Sequence, residues 1–268
     1  ASTQGKLNIV LNADADAKNG GNIQVNTGAT FNSNGGNIVL GGGKCSTTDC
    51  DQSAKGYTAS PAQSDGVSIS HATLNSNGGQ INIYGEGYSS QAAPLSDVHG
   101  VFVDQSTLTS NAGNITINGK GGEGKSNHNN NGIFLTGNEK TTDISTTSGN
   151  INLTGTSSAS NGSDNFGLSS DTTTIKTSGG SITLNGTSAN GDMGLLFESN
   201  SRIGDASTGD IALISSNAAK NSNSFAMLNT IPSGKNPTLQ TKSTLSINAS
   251  GNVSQLSPIM AEKLMLSG

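Results

Sequence analysis

Residues 110–122 read SNAGNITINGKGG, and the phrase returns as SNGGNIVLGGG (33–43), SNGGQINIYGEG (76–87), TSGNINLTGTS (147–157), TSGGSITLNGTS (177–188) and STGDIALISSN (207–217). In each copy apolar and polar residues alternate, as in Ile115-Thr116-Ile117 and Ile81-Asn82-Ile83, which is the period of a half-buried strand. Helix-type spacing is almost absent. Aligned on the first core aliphatic, the copies start at Ile9, Ile38, Ile81, Ile115, Ile151, Ile182, Ile211 and Leu245. The shortest intervals, Ile9 to Ile38 and Ile182 to Ile211, set the minimum turn, and the excess elsewhere is insertion.

Two further runs fill each period. One begins with glycine and reads GVSIS, GVFVD, GIFLT, GLSSD and GLLFE from Gly66, Gly100, Gly132, Gly167 and Gly194. The other is shorter: ATLNS, STLTS, TDIST, TTIKT and SRIGD. A tight link of Ser, Asn and Gly, residues suited to turns, joins the second run to the third. The length variation falls between the third run and the next first run. Three short strands per turn of roughly 29 residues, with insertions at one corner, predict an all-β, right-handed parallel β-helix of about eight turns. One solenoid segment is expected over residues 1–268, with insertions at 42–64, 85–99, 118–131, 155–165, 186–193, 215–224 and 232–237. A left-handed hexapeptide helix would need a six-residue beat, which is missing, and an antiparallel barrel or sandwich would need a hairpin signal after every strand.

Composition agrees with a narrow core. Only 31% of the 268 residues are hydrophobic, 12% are charged, 37 are Gly and none is Trp. The formal charge is −5, and the 13 basic residues are scattered singly along the chain, which argues against a nucleic-acid or anionic-membrane partner. No apolar run approaches a bilayer span, so no membrane insertion is expected, and residues 1–13 lack the form of a signal peptide. Cys45 and Cys50 are the only cysteines and no His lies near them, so a short disulfide is expected, worth about 2 kcal/mol by loop closure. No zinc pattern, phosphate-cradling glycine loop or Ser-His-Asp order emerges; neither a cofactor nor a metal is implied.

Residues 8–43 (NIVLNADADAKNGGNIQVNTGATFNSNGGNIVLGGG) and 245–268 (LSINASGNVSQLSPIMAEKLMLSG) resemble exoproteins of the filamentous-haemagglutinin type, the two-partner-secretion group of Gram-negative bacteria that includes the high-molecular-weight adhesins. The resemblance runs over nearly the whole chain and rests on repeat style. It implies a right-handed β-helix, export through a dedicated outer-membrane pore, and a secreted or surface-attached adhesin. The NPNL and NPNGI motifs of that family's secretion domain are missing, and KNPTL (235–239) departs from both, so the resemblance implies an internal or C-terminal passenger segment.

Several residues are candidates for the working surface. With Val101 and Val103 inward, Phe102 points outward, stacked one strand spacing from Phe134 in a column that also holds Leu196. This column is a candidate patch for a host glycan or surface protein, unless the corner insertions fold over it. In the next outward column Asp171 and Glu198 are neighbours, the pattern of a carboxylate pair in a polysaccharide-cleaving β-helix, although Arg202 is the only Arg available to hold an acidic sugar. His99 and His128 fall in consecutive insertions, where they would serve as haem or metal ligands or as plain loop residues; the resemblance implies haem acquisition as one family activity. Asn-X-Ser/Thr sequons stand at Asn114, Asn152, Asn161, Asn185, Asn248 and Asn252, as glycosylation acceptors or as members of stacked amide ladders. The expected function is host-glycan or host-protein binding by an adhesin segment without catalysis, with a passive stalk, a haem-acquisition protein and a polysaccharide-cleaving enzyme as alternatives. The apolar alternation of PIMAEKLMLSG (258–268) leaves both ends looking cut rather than capped, so weak end-to-end self-association is expected.

Overall fold

A computed structural model describes residues 5–16, 20–55, 64–90, 92, 94–124, 127–159, 162–189, 192–218, 223–228 and 235–268. It is a parallel β-helix with three faces. The first and second faces are sheets of eight strands each, and the path along the third holds nine. One turn runs from Val101–Asp104 on the first face through Thr107–Ser110 on the second to Ile115–Lys120 on the third. The next turn repeats this with Ile133–Thr136, Thr142–Thr146 and Ile151–Thr156, every strand parallel to its predecessor. No helix occurs among the described residues.

The repeat alignment is the strand register. Ile9, Ile38, Ile81, Ile115, Ile151, Ile182, Ile211 and Leu245 pair in unbroken succession. Residues two apart on each strand point the same way, so Ile115 and Ile117 enter the interior while Thr116 leaves it. The inward residues form one continuous core down the solenoid axis, from Ile23 and Val25 to Leu245 and Ile247.

The recurring phrase is explained at the corner between the second and third faces. Gly36, Gly79, Gly113, Gly149, Gly180 and Gly209 form a column in which successive turns meet backbone to backbone. A methyl group built on Gly79 would lie 1.9 Å from the Gly36 carbonyl oxygen, one on Gly113 1.9 Å from that of Gly79, and one on Gly180 2.1 Å from that of Gly149. Three residues earlier a buried hydroxyl braces the bend. Ser76 Oγ donates to the Gly79 carbonyl at 2.6 Å and Thr146 Oγ1 to that of Gly149 at 2.7 Å, while Ser110 Oγ reaches the preceding turn at Gly79 (2.8 Å). Asn34 and Asn77, with φ of 49° and 50°, take the left-handed conformation that Asn tolerates. The phrase therefore encodes a glycine contact followed by a core strand, with a hydroxyl brace before the glycine in most copies and a left-handed Asn in those at 33–43 and 76–87.

Two expectations about chain length are corrected. Leu245 pairs with Leu264, so the last turn closes in far fewer residues than the Ile9–Ile38 or Ile182–Ile211 interval that the repeats set as the minimum. The strand Asn252–Gln255 follows Ala249 with almost no corner segment, so even the shortest earlier turns carry an insertion at this corner. The described part of the expected insertion 232–237, residues 235–237, does not belong to the insertion corner. Residues 235–237 lead into Thr238–Gln240 on the second face, after Asn223–Met227 on the first, and 232–234 lie outside the described residues.

Neighbouring glycines separate the two roles this residue type has here. A methyl on Gly179 meets nothing closer than 3.8 Å, whereas one on Gly180 strikes the adjacent turn. Gly179→Ala should leave the urea midpoint within error or raise it slightly, and Gly180→Ala should cost about 1 to 3 kcal/mol through forced backbone shifts. Equal effects of the two substitutions in urea melts would refute the contact column as the constraint.

Candidate functional site

The insertion corner, between the third and first faces, begins at a second glycine contact. Gly85 lies against Gly100, Gly119 against Gly132, Gly155 against Gly167 and Gly186 against Gly194; a methyl on the first of each pair would come within 2.0 to 2.1 Å of the partner's carbonyl oxygen. Each pair closes the neck of an insertion, so loops of different length leave and re-enter the solenoid at the same point.

Beyond the necks the insertions stack. Leu95–Ser96, Asn127–His128 and Gly162–Ser163 form a small parallel sheet of their own. Two side-chain ladders then run along the returning limbs in opposite senses. Asn130 Oδ1 accepts from the Val98 N–H and Asn165 Oδ1 from the Asn130 N–H, both at 2.9 Å, and Asp192 Oδ2 from the Asn165 N–H at 3.0 Å. One position on, Asp65 Oδ1 accepts from the His99 N–H (2.7 Å), His99 Nδ1 from the Asn131 N–H (3.3 Å), and Asn131 Oδ1 from the Phe166 N–H (2.7 Å). Asn130 and Asn131 are fully buried. The corner is thus a ridge, tied turn to turn by side-chain amides and carboxylates where sheet pairing is sparse.

The aromatic column is present and partly roofed. Phe102 and Phe134 pair in register with ring centroids 5.7 Å apart. His99 folds over both, at 5.5 Å from Phe102 and 5.1 Å from Phe134, and is itself 4% exposed. The two phenylalanines keep intermediate exposure. Leu196, expected on the same outward patch, is 4% exposed, because the column passes under cover at Ser169, Leu196 and Ala226. Nor do the two histidines meet: His128 pairs with Ser96, while His99 lies beside Asn131, three residues further along each limb. His128 is exposed and its Nδ1 lies 3.1 Å from Ser163 Oγ. Among the described residues no group of three or more His, Cys, Asp or Glu side chains is placed to hold a metal ion.

The other candidates fall as follows. Cys45 and Cys50 form a disulfide that closes an antiparallel hairpin pairing Gly42 with Gln52, before Ala54–Lys55 rejoins the solenoid beside Gly85 and Glu86. Asp171 and Glu198 follow the paired residues Ser170 and Phe197, which makes them neighbours in the outward column. Burial raises the Asp171 carboxyl above its ordinary pKa against two opposing bonds from Thr172. Asn114 belongs to an amide ladder: its Oδ1 accepts from the Asn150 N–H at 2.8 Å, as Asn37 Oδ1 does from Gln80 and Asn150 Oδ1 from Ser181 (2.9 Å each). Asn152 and Asn185 are half-buried on the third face, Asn248 and Asn252 are exposed, and Asn161 lies outside the described residues.

Sequence reasoning passed over Asp65, Asn130, Asn131 and Asn165, although an Asn or Asp one or two residues before four of the five first-strand glycines was a usable signal. It also treated the basic residues as dispersed. Lys140, Lys176, Arg202 and Lys235 recur at intervals close to one turn each, and they line one groove on the second face. Comparison with known proteins yields no match to a family model, to a curated protein or to a solved structure.

Burial gives Asp65 and His99 opposed titrations. Asp65 is pushed up to about 7, chiefly by desolvation, which outweighs the His99 N–H bond and is assisted by the Asp97 charge. Desolvation lowers His99 to about 4, against the pull of Asp97. Between about pH 4 and 7 the folded state holds more protons at Asp65 than the unfolded chain, so that contribution to stability falls as pH rises. Between about 4 and 6.5 the unfolded chain binds more protons at His99, so that contribution rises with pH. The two slopes oppose. Asp65→Asn should therefore steepen the rise of the urea midpoint with pH up to about 6.5, and His99→Gln should tilt it the other way up to about 7. Parallel curves for the two variants and the parent would contradict this assignment.

Proposed function

We propose that this chain is a non-catalytic segment of a secreted or cell-surface exoprotein of the adhesin type, exported through an outer-membrane two-partner-secretion pore, and that its ridge of stacked insertions contacts a host-cell glycan or surface protein. The observation that carries the reading is the preorganisation of the ridge. Insertions of unequal length converge on common glycine necks and are cross-tied by the Asn130 and Asn131 ladders. A surface already ordered loses little conformational freedom on binding. Exposed polar groups at its crest, such as His128 and Asp164, offer hydrogen bonds to a polar ligand. Roofing of the aromatic column by His99 makes the polar crest, more than Phe102 and Phe134, the contacting surface.

The test is a glycan-array and host-protein screen of the purified chain beside His128→Ala/Asp164→Ala. Binding by the parent that drops about tenfold or more in the double variant, the scale of one or two lost hydrogen bonds, supports the ridge as the contact. Absence of binding by the parent defeats the adhesive reading and leaves that of a stalk.

End-to-end self-association has its own support. The last strands, Asn252–Gln255, Ile259–Met260 and Lys263–Ser267, leave Leu256, Met260, Leu264, Met265 and Leu266 between 44% and 69% exposed, beside a cavity of about 500 Å³ lined by apolar residues such as Ile247 and Val253. Open parallel edges over apolar side chains are a template for further strands. Sedimentation should show mass rising with concentration, and Leu264→Lys/Leu266→Lys should return the protein to monomer; a monomer at all concentrations removes self-association.

A further inference from the structure

The second face carries a groove of about 720 Å³ away from the insertion ridge. Its floor is an outward column of the sheet, in which Thr107, Asp143, Thr174 and Arg202 are successive partners. Lys176 stands two residues beyond Thr174 on the same side of its strand, close to the Asp143–Arg202 line. The walls come from the corner between the first and second faces and supply Lys140 and Lys235.

Those walls are held in place. The Lys235 N–H donates to Asn200 Oδ1 at 2.8 Å and the Asn200 N–H donates to the Lys235 carbonyl at 2.7 Å, so two turns are cross-bonded at one lip. At the other lip the Lys140 N–H donates to Gln105 Oε1 at 3.3 Å. All four cationic side chains are exposed, and none is within ion-pair distance of a carboxylate among the described residues. The groove thus gathers four of the 13 basic residues of a chain whose formal charge is −5.

Its acidic members constrain the ligand. Glu139 is exposed at the lip beside Lys140, whereas Asp143 is half-buried between the cations, with Oδ1 buried and bonded to no described residue. Desolvation raises the Asp143 pKa, while Lys176, Ser145 and Lys140 pull the other way. A carboxylate in the floor disfavours a continuous polyphosphate backbone but accepts hydrogen bonds from hydroxyl groups. Threonine hydroxyls from Thr107, Thr172 and Thr174 supply further short polar contacts, and the described lining has no aromatic side chain on which a nucleobase could stack. Cations for anionic substituents, a carboxylate and hydroxyls for ring hydroxyls, and room for several sugar units form one recognition set.

We propose that this groove binds an acidic saccharide, a short chain of sugar units bearing carboxylate or sulfate groups, with Arg202 and Lys176 holding the anionic substituents and Asp143 a ring hydroxyl. The site is independent of the ridge, so its occupancy and any ridge binding are lost through different substitutions.

Calorimetric titration of the whole chain with tetragalacturonate, a sulfated heparin-derived tetrasaccharide, uncharged chitotetraose and octathymidylate tests it. At least one of the two anionic saccharides should bind, more weakly as salt is raised, and chitotetraose should bind far less well; the preferred probe identifies carboxylate or sulfate as the group held. Lys176→Gln/Arg202→Gln, at exposed positions, should weaken binding by about tenfold or more, the loss expected for charge-assisted hydrogen bonds. Thr174→Trp, which fills the floor and keeps every cation, should also abolish binding, while His128→Ala/Asp164→Ala should leave it intact. The proposal fails if neither anionic saccharide binds, if the Lys176/Arg202 variant binds unchanged, if Thr174→Trp binds unchanged, or if octathymidylate binds as tightly as the better saccharide.

Discussion

Close approach of backbone to backbone at two corners governs this molecule. Parallel strands stack at about 4.8 Å, and at a sharp bend that spacing leaves no room for a Cβ between one turn and the next. The columns running from Gly36 to Gly209 and from the Gly85–Gly100 pair to the Gly186–Gly194 pair are where this limit is met. Their regularity lets short strands, some of only two residues, hold register over the length of the solenoid, although no single turn buries enough apolar surface to offset the entropy of ordering its residues.

This constraint decides how much was legible beforehand. The third-face register is recoverable residue by residue because one sequence phrase contains the contact glycine and the first core aliphatic, with a hydroxyl before the glycine in most copies, all short-range signals. The short closing turn from Leu245 to Leu264 was hidden because the shortest interval available for comparison, Ile9 to Ile38, itself contains an insertion. Residues 235–237 were misplaced because insertion length alone does not reveal which corner carries it. Covering of Phe102 and Phe134 by a corner insertion was an open alternative that His99 decides, whereas the burial of Leu196 was not legible for a related reason. Alternation says which side of a strand faces outward, and only the path of the neighbouring chain says whether outward means solvent.

The corner ridge shows how a repetitive chain keeps irregular segments ordered. An insertion that leaves the solenoid keeps only part of the backbone ladder, and its remaining buried N–H groups still need acceptors. Here side chains one turn away supply them: Asn130 for Val98, Asn165 for Asn130, His99 for Asn131. Each acceptor belongs to a residue whose own N–H is served by another turn, so ordering one insertion orders the next. Asp65 and His99 stand at one end of such a ladder, and the burial that lets them serve as acceptors is also what displaces their titrations in opposite directions.

Charge follows the same geometry. A basic residue once per turn is dilute in one dimension, and composition treats it as such. Coiled at about one turn per interval, Lys140, Lys176, Arg202 and Lys235 come to one side of one face. The interior cannot accept such variation, because its columns are committed to aliphatic packing, and the glycine corners cannot accept any side chain. Only the outward columns and the insertion corner are free to differ between turns, so recognition in this fold is confined to them. The second face meets that condition without help from the insertions, since the polar column from Thr107 to Arg202 rests on the buried ladder of Leu108, Ile144, Ile175 and Ile203 directly behind it. A rigid, fully packed strand ladder beneath a charged outward column fixes the spacing of its polar groups at the strand repeat, and a ligand with regularly repeated anionic and hydroxyl groups is the kind of partner such a spacing can select.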